Sequence, residues 1–368
     1  MNTKSRTGRS TVFAAMLLAG IYQPVAGQGV APSTQASESS PALNQHQAEA
    51  SFANYKFRDG ETLPELRIHY TTLGEPHKNA AGAVDNAILV LHWTNASSQA
   101  LLTPEYKQAL FAPGAPLDAR RYFVVIPDDI GHGQSSKPSD ALKAAFPHYG
   151  YSDMVELQHK LVVEALGIAH LRAIVGMSMG CMNAWQWSED YPDSMDGIMP
   201  IACFPAAISG RNLLWRRILI HSIESDPSGG TAFAIARMMI DGVPNLQQEV
   251  TSREAADALL RGIQGQSAGQ DANNVLYSFE SSGDFNAEPG LSRIKSKVYA
   301  LNFADDEFYR DSLQVLQNDI QQVRQGRVVI RPTSAGSAGH FTMSHPALWR
   351  DQVELFMKWL GGNYRENH

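Results

Sequence analysis

Only two cysteines, Cys181 and Cys203, occur in the 368 residues. Both sit in segments expected to be buried, so inert thiols are the expectation, with a disulfide as the alternative in an oxidising compartment. No cluster of Cys and His, no H-E-x-x-H, no Walker A loop and no G-x-G-x-x-G is present. The chain thus has no recognisable metal centre and no dinucleotide or phosphate loop, and no metal or organic cofactor is expected. Positive charge is also scarce: 30 Lys and Arg stand against 37 Asp and Glu, a net charge of -7. That excludes a basic nucleic-acid-binding face and gives no pull toward anionic membranes. The apolar run near the N-terminus, Thr11 to Tyr22, is too short to span a bilayer.

That run has another reading. Lys4, Arg6 and Arg9 precede it, and the small residues Val25, Ala26 and Gly27 follow it. The pattern predicts a signal peptide over residues 1–27 and an exported protein, periplasmic or secreted. No Cys follows the run, which argues against a lipoprotein anchor. Residues 28–50 are rich in Gln, Ser, Ala and Pro with no apolar period, and read as a flexible leader.

Beyond the leader, the 43% hydrophobic content suffices for one large core with an inserted subdomain. Leu66, Ile68, Tyr70 and Thr72 alternate with polar neighbours, as in a half-exposed strand. Near-continuous apolar runs at 87–92, 122–127, 171–176, 197–203, 297–303 and 327–332 read as strands buried on both faces. Helical segments are expected at 151–166, 179–191, 311–325 and 346–360. Such alternation predicts an α/β fold, a mostly parallel sheet flanked by helices. Its core would span 51–204 and 292–362. Residues 205–291 carry helical patterns and no convincing strand, so a helical insertion is expected there.

The sequence Gly176-Met177-Ser178-Met179-Gly180 follows one strand directly and opens a helix. A strand that turns sharply into a helix strains the residue at the corner and projects its side chain at the sheet edge. Small residues two before and two after relieve the crowding. Ser178 is therefore the candidate nucleophile. A serine hydroxyl needs a base, and the base needs an acid to orient it. Asp305 and Asp306 lie just past the strand at 297–303, with Asp306 the first choice. His340 lies in the Gly- and Ser-rich segment after the last strand and is the candidate base; His345 is the fallback. For the oxyanion, the backbone of Met179 and of Thr94 are the expected donors, with Trp93 second to Thr94. His92 reads as structural, and the turn Asp128 to Ser135 as support for the site with His132 on its solvent side or behind the first residues.

Together these residues resemble the α/β-hydrolase superfamily, and within it the homoserine O-acetyltransferase-like family. The resemblance covers most of residues 60–360. It rests on LVLHWTNAS, APGAPLDARRYFVVIPDDIGHG, FPHYGYSDMVELQHKLVVEALGI, VGMSMGCMNAWQWSEDYPD, FADDEFY and AGHFTMSHP, in that order. It implies that Ser178, Asp306 and His340 form a triad, that Thr94 and Met179 supply the oxyanion donors, and that the insertion is a lid. This chain departs from the family at three places. Gly180-Cys181 stands where the acetyltransferases carry Gly-Gly, and His92 to Ala96 replaces their H-A-L-T-G. Ile220 occupies the register of a lid arginine, with Arg216 and Arg217 nearby but out of register.

The function expected is acyl transfer from a small-molecule ester or acyl substrate through an acyl-enzyme. Export separates the chain from cytosolic acetyl-CoA, and Ile220 speaks against a homoserine carboxylate. Both favour an exported carboxylic-ester hydrolase over an O-acetyltransferase. A non-catalytic protein on the same fold ranks third. Trp93, Phe204, Trp215 and lid methionines are candidates to line an apolar acyl pocket, although for each of them plain core packing is the preferred reading. No nucleic acid partner and no stable membrane anchor are expected; a homodimer through the lid is left open.

Overall fold

The computed structural model describes residues 43–227, 230–267 and 269–361. The expected signal peptide and most of the expected leader lie outside the described residues. Eight strands form one sheet: β1 Gln45–Lys56, β2 Thr62–Leu73, β3 Ala87–Leu91, β4 Phe123–Pro127, β5 Ala173–Met177, β6 Gly197–Ile201, β7 Lys297–Phe303 and β8 Gly326–Arg331. Their order is β1-β2-β4-β3-β5-β6-β7-β8. The pairs β1–β2 and β2–β4 are antiparallel, and all the others are parallel. This is the predicted mostly parallel α/β sheet.

The alternation along each strand decides which layer it feeds. Leu89 and Leu91 of β3 join Val125 and Ile174 in one core, with Met182 and Trp185. Ile88 and Val90 face the other way, into a core with Val124, Val175 and Phe356. The helices supplying those layers are α2 Tyr151–Lys160 and α3 Met179–Asp190 on the first face and α10 Arg350–Trp359 on the second. Two short helices, α1 Pro104–Tyr106 and α9 Val315–Asp319, complete the core. Because both faces are covered, β3 to β6 are buried at every position.

Between β6 and β7 the chain forms α4 Gly210–Ser225, α5 Gly230–Ile240, α6 Val243–Glu249, α7 Arg253–Ser267 and α8 Ala272–Glu280. These have a small core of their own, with Trp215, Leu219, Ile223, Ala236 and Phe279 in contact with Phe341.

Two local expectations are corrected. Residues 45–50 are not leader but the first half of β1, paired from Gln45↔Leu73 onward. β1 is an edge strand and mostly exposed, so its backbone ladder holds it without an apolar period in the sequence. The long helix expected at 311–325 is reduced to α9 flanked by tight turns. Gln314 adopts a left-handed conformation with φ +55°, which interrupts the helix.

Candidate active site

The last residue of β5 is Met177, and Ser178 takes the turn into α3 with φ +52° and ψ -104°. A non-glycine residue held there costs about 1–3 kcal/mol, offset by the surrounding contacts. The Ser178 N–H donates to Ile201 O at 2.9 Å, and the Gly180 N–H donates to His92 O at 3.0 Å. The two glycines are required by close approach. A Cβ on Gly176 would lie 1.9 Å from Gly180 O, and one on Gly180 would lie 2.5 Å from Leu91 O. Met179 is the first helical residue, so its N–H lacks an intrahelical acceptor and stands beside Ser178.

The loop after β8 carries His340 to this corner. His340 Nε2 is 2.9 Å from Ser178 Oγ, and Nδ1 is 2.6 Å from Asp306 Oδ2. All three side chains are buried. The Phe308 N–H donates to Asp306 Oδ1 at 2.8 Å, which fixes the carboxyl group. The neighbouring Asp305 has a different place: its Oδ2 accepts the Gly339 N–H at 2.9 Å and so holds the loop rather than the ring. Gly339 has φ +60°, and a Cβ there would lie 2.4 Å from Gly242 N, so the loop packs directly on the turn after α5. His345 lies elsewhere, with Nδ1 3.6 Å from Glu105 Oε1.

A carboxylate at Nδ1 leaves Nε2 to accept the serine proton, so the geometry suits a hydroxyl made nucleophilic by a histidine. Thr94 and Trp93 come from the loop after β3 and line the same pocket as Ser178 and His340. Asn95, at φ +63°, turns that loop, and the Ala96 N–H closes it on Trp93 O at 3.1 Å.

Behind the loop, His92 is fully buried, and burial lowers its pKa. Its Nδ1 donates to Trp93 O at 2.8 Å, and its Nε2 accepts the Asp129 N–H at 3.2 Å. It braces the loop and points no nitrogen at Ser178. His132 is not on the solvent side, as one expectation had it. It is buried, and burial lowers its pKa to about 4. Its Nε2 meets Ser278 Oγ of α8 at 3.0 Å, joining the turn to the insertion. Two adjacent acids in that turn differ in charge preference. Burial alone would raise Asp128, but hydrogen bonds from His69 and from the Gln134 and Ser98 amides outweigh it and bring the pKa to about 2. Asp129 is raised to about 6 by burial, which the Gln158 hydrogen bond only partly opposes.

The pocket at Ser178 is partly open to solvent. Of the candidate lining residues, Trp93 and Trp215 line it; Phe204 does not, its ring instead packing on Tyr309 at 5.1 Å. The lining methionine is Met343, from the His340 loop rather than the insertion. Sequence reasoning also missed Arg216 of α4. Its side chain is buried and lines the pocket. Its guanidinium donates to Asn212 Oδ1 at 3.0 Å and Ser282 Oγ at 3.2 Å, and no acidic side chain among the described residues pairs with it. The signal was the residue itself, four positions and one helical turn before Ile220.

The expectation of inert thiols is overturned. Cys181 in the first turn of α3 and Cys203 just past β6 form a disulfide, with Cα atoms 6.0 Å apart. The reason is tertiary: α3 starts directly over the end of β6. Among the described residues no group of three or more His, Cys, Asp or Glu is placed to hold a metal ion. No helix of the described residues is long and apolar enough to cross a membrane.

Comparison with known proteins agrees with this architecture. The family model for the α/β hydrolase fold matches residues 105–312. A probable acyltransferase of Methanothermobacter thermautotrophicus is 25% identical over 295 residues, covering 77% of this chain and 90% of that one. The homoserine O-acetyltransferase of Haloarcula marismortui is 28% identical over 290 residues, 70% of each chain. A solved structure of the acetyl esterase MekB superposes with a TM-score of 0.72 at 23% identity, covering 86% of this chain and 96% of the other. The chain belongs to the α/β-hydrolase family and is an enzyme of the esterase and acyltransferase class.

Proposed function

We propose that the protein is an exported carboxylic-ester hydrolase that works through an acyl-enzyme on Ser178. One observation carries the reading: His340 bridges Ser178 Oγ and Asp306 Oδ2 at 2.9 and 2.6 Å. In this mechanism His340 Nε2 takes the Ser178 proton as Oγ attacks the ester carbonyl. The Met179 and Thr94 amides stabilise the oxyanion. His340 then returns the proton to the leaving alkoxide. The acyl-enzyme is cleaved by a water that His340 deprotonates, and Ser178 is regenerated. Asp306 keeps the imidazole in the needed tautomer. Two features support export: the basic and apolar pattern of residues 1–27 and the Cys181–Cys203 disulfide, which an oxidising compartment favours.

The test is labelling of the mature chain with a fluorophosphonate, beside Ser178→Ala. Wild type should label and the variant should not; equal labelling of both sinks the serine assignment. Turnover of p-nitrophenyl acetate should follow the same pattern.

Arg216 supports a second reading, transfer of the acyl group to a carboxylate-bearing alcohol. A buried guanidinium without an acidic partner suits an anionic substrate group. The argument from Ile220 is weakened, since α4 supplies a guanidinium one turn earlier. Acetyl-CoA with homoserine decides between the two: hydrolysis of simple esters without homoserine acetylation supports the first reading, and efficient acetylation supports the second.

A further inference from the structure

We propose that the Cys181–Cys203 disulfide is a positioning device for the nucleophile, holding Ser178 in its strained conformation at the end of the sheet. The proposal rests on the reading of Ser178 as nucleophile. It starts from where the sheet stops. The β5–β6 ladder ends at the pair Met177↔Ile201. Just beyond it, two links join the same two segments. The first is the Ser178 N–H donating to Ile201 O at 2.9 Å, and the second is the disulfide three residues further along α3 and two further past β6. They close a small ring around the catalytic corner.

Two strained residues lie inside that ring. Ser178 has φ +52° and Ala202 has φ +63°. Both carry a Cβ, and L-residues rarely take such angles. Alanine has no polar side chain to offset the cost locally, as asparagine has. Ala202 is further held by its N–H donating to Leu301 O at 2.9 Å, and Cys203 by its N–H donating to Asn302 Oδ1 at 3.2 Å. The bond therefore locks α3, whose first turn carries Met179, to a strand end that is itself fixed to β7.

Cys203 also leads to the base. The next residue, Phe204, packs its ring on Tyr309 at 5.1 Å, and the Tyr309 ring lies 5.7 Å from that of His340. One covalent link thus ties the segment bearing Ser178 and the first oxyanion donor to the wall behind His340. Relaxation of either strained residue would move Ser178 Oγ away from Nε2. A misplacement on the order of 1 Å is enough to slow such a reaction by about 100-fold. The pocket walls from α4 and α8 lie outside the ring, so substrate binding should change little.

Both half-cystines are buried, at 0% and 1% exposure, so the bond is a permanent fitting of the folded chain and not an exposed redox switch. In chemical terms, its formation in the folding chain removes two thiol protons and two electrons to an external disulfide or quinone-linked oxidant. The competent site is completed by that oxidation, which fits the exported reading.

The experiment compares the oxidised wild type with Cys181→Ala, Cys203→Ala and the double variant, each checked for native far-UV circular dichroism at the assay temperature. Readouts are the fluorophosphonate labelling rate and kcat and KM for p-nitrophenyl acetate. The expected result is a fall of about tenfold or more in kcat and labelling rate with KM within about twofold. The single and double variants should fall alike, because each loses the same bond. A folded double variant with wild-type kcat and labelling rate overturns the proposal and leaves the bond a role in stability alone. Should the variants not fold, wild type is reduced with dithiothreitol under native conditions, bond opening is verified by mass after alkylation of quenched samples, and unalkylated aliquots are assayed before and after reoxidation. Reversible loss of kcat supports the proposal, and unchanged kcat with an open bond overturns it. Absence of labelling in oxidised wild type would instead refute the nucleophile reading, so the two failures are distinct.

Discussion

The sheet edge and the helical insertion contribute to one pocket in different ways. At the sheet edge, Ser178, Asp306 and His340 are marked by short local signals: a glycine-flanked turn, an acid just after a strand, a histidine in a Gly- and Ser-rich loop. Their surroundings are packed to near zero exposure, from Leu91 to Cys181 and Phe303. The insertion has a looser character. It has its own small core, while Leu214, Met238 and Val243 are 62%, 70% and 65% exposed. It contributes Trp215, Arg216 and Phe279 to the pocket walls and nothing to the Ser–His–Asp relay. On the proposed function, the difference assigns the chemistry to the rigid layer and the choice of substrate to the layer with fewer constraints.

Substitution of the relay should be the sharpest test of that division. Ser178→Ala or His340→Ala is expected to lower kcat by about 10⁴-fold or more on every substrate, charged or neutral. A loss confined to one substrate class would break the comparison. Next in size comes the packing under Ser178. Gly180→Ala places a Cβ 2.5 Å from Leu91 O, and backbone cannot step aside cheaply. A loss of about 3 kcal/mol in stability is expected, read from urea unfolding. The insertion should respond selectively. Arg216→Met is expected to cost about tenfold or more in kcat/KM for esters or acceptors bearing a carboxylate, with little change for p-nitrophenyl acetate. Equal losses on both would mean that Arg216 serves only the packing of α4.

The pH-dependent effects concern the two adjacent acids of the supporting turn, and they have opposite signs. Asp128 titrates at about 2 when folded and near 3.8 when unfolded, so the unfolded chain binds more protons in between. Its contribution is complete above about pH 4 and fades as the pH falls toward 2. Asp129 titrates at about 6 when folded, so the folded chain binds more protons between 3.8 and 6. Stability therefore declines as the pH rises through that window. Each term is on the order of 2 kcal/mol. Unfolding free energies measured against pH should lose the low-pH rise in Asp128→Asn and the later decline in Asp129→Asn. Unaltered profiles would show that neither acid is held as described.

Much of the fold was legible because its central strands are covered on both faces and so read as continuous apolar runs. β1 was not, because an exposed edge strand is defined by its backbone ladder and leaves no apolar period. The same limit applies within the site. Asp305 and Asp306 are one residue apart, and periodicity could not say which one faces His340 and which one holds Gly339. Phe204 and Trp215 looked alike as apolar lining, yet one supports Tyr309 and the other faces the pocket.

The sequence by itself determined the succession of strands β2 to β8, the sharp turn at Ser178 and the succession of serine, acid and histidine, because each is written in neighbouring residues. Tertiary structure alone decided that Cys181 meets Cys203, that His132 reaches α8, and that Arg216 points into the pocket one turn from the position where an arginine was sought. Those outcomes depend on how separate elements stack. A residue's spacing along its own helix fixes the direction of its side chain, and only the packed neighbour fixes what that side chain meets.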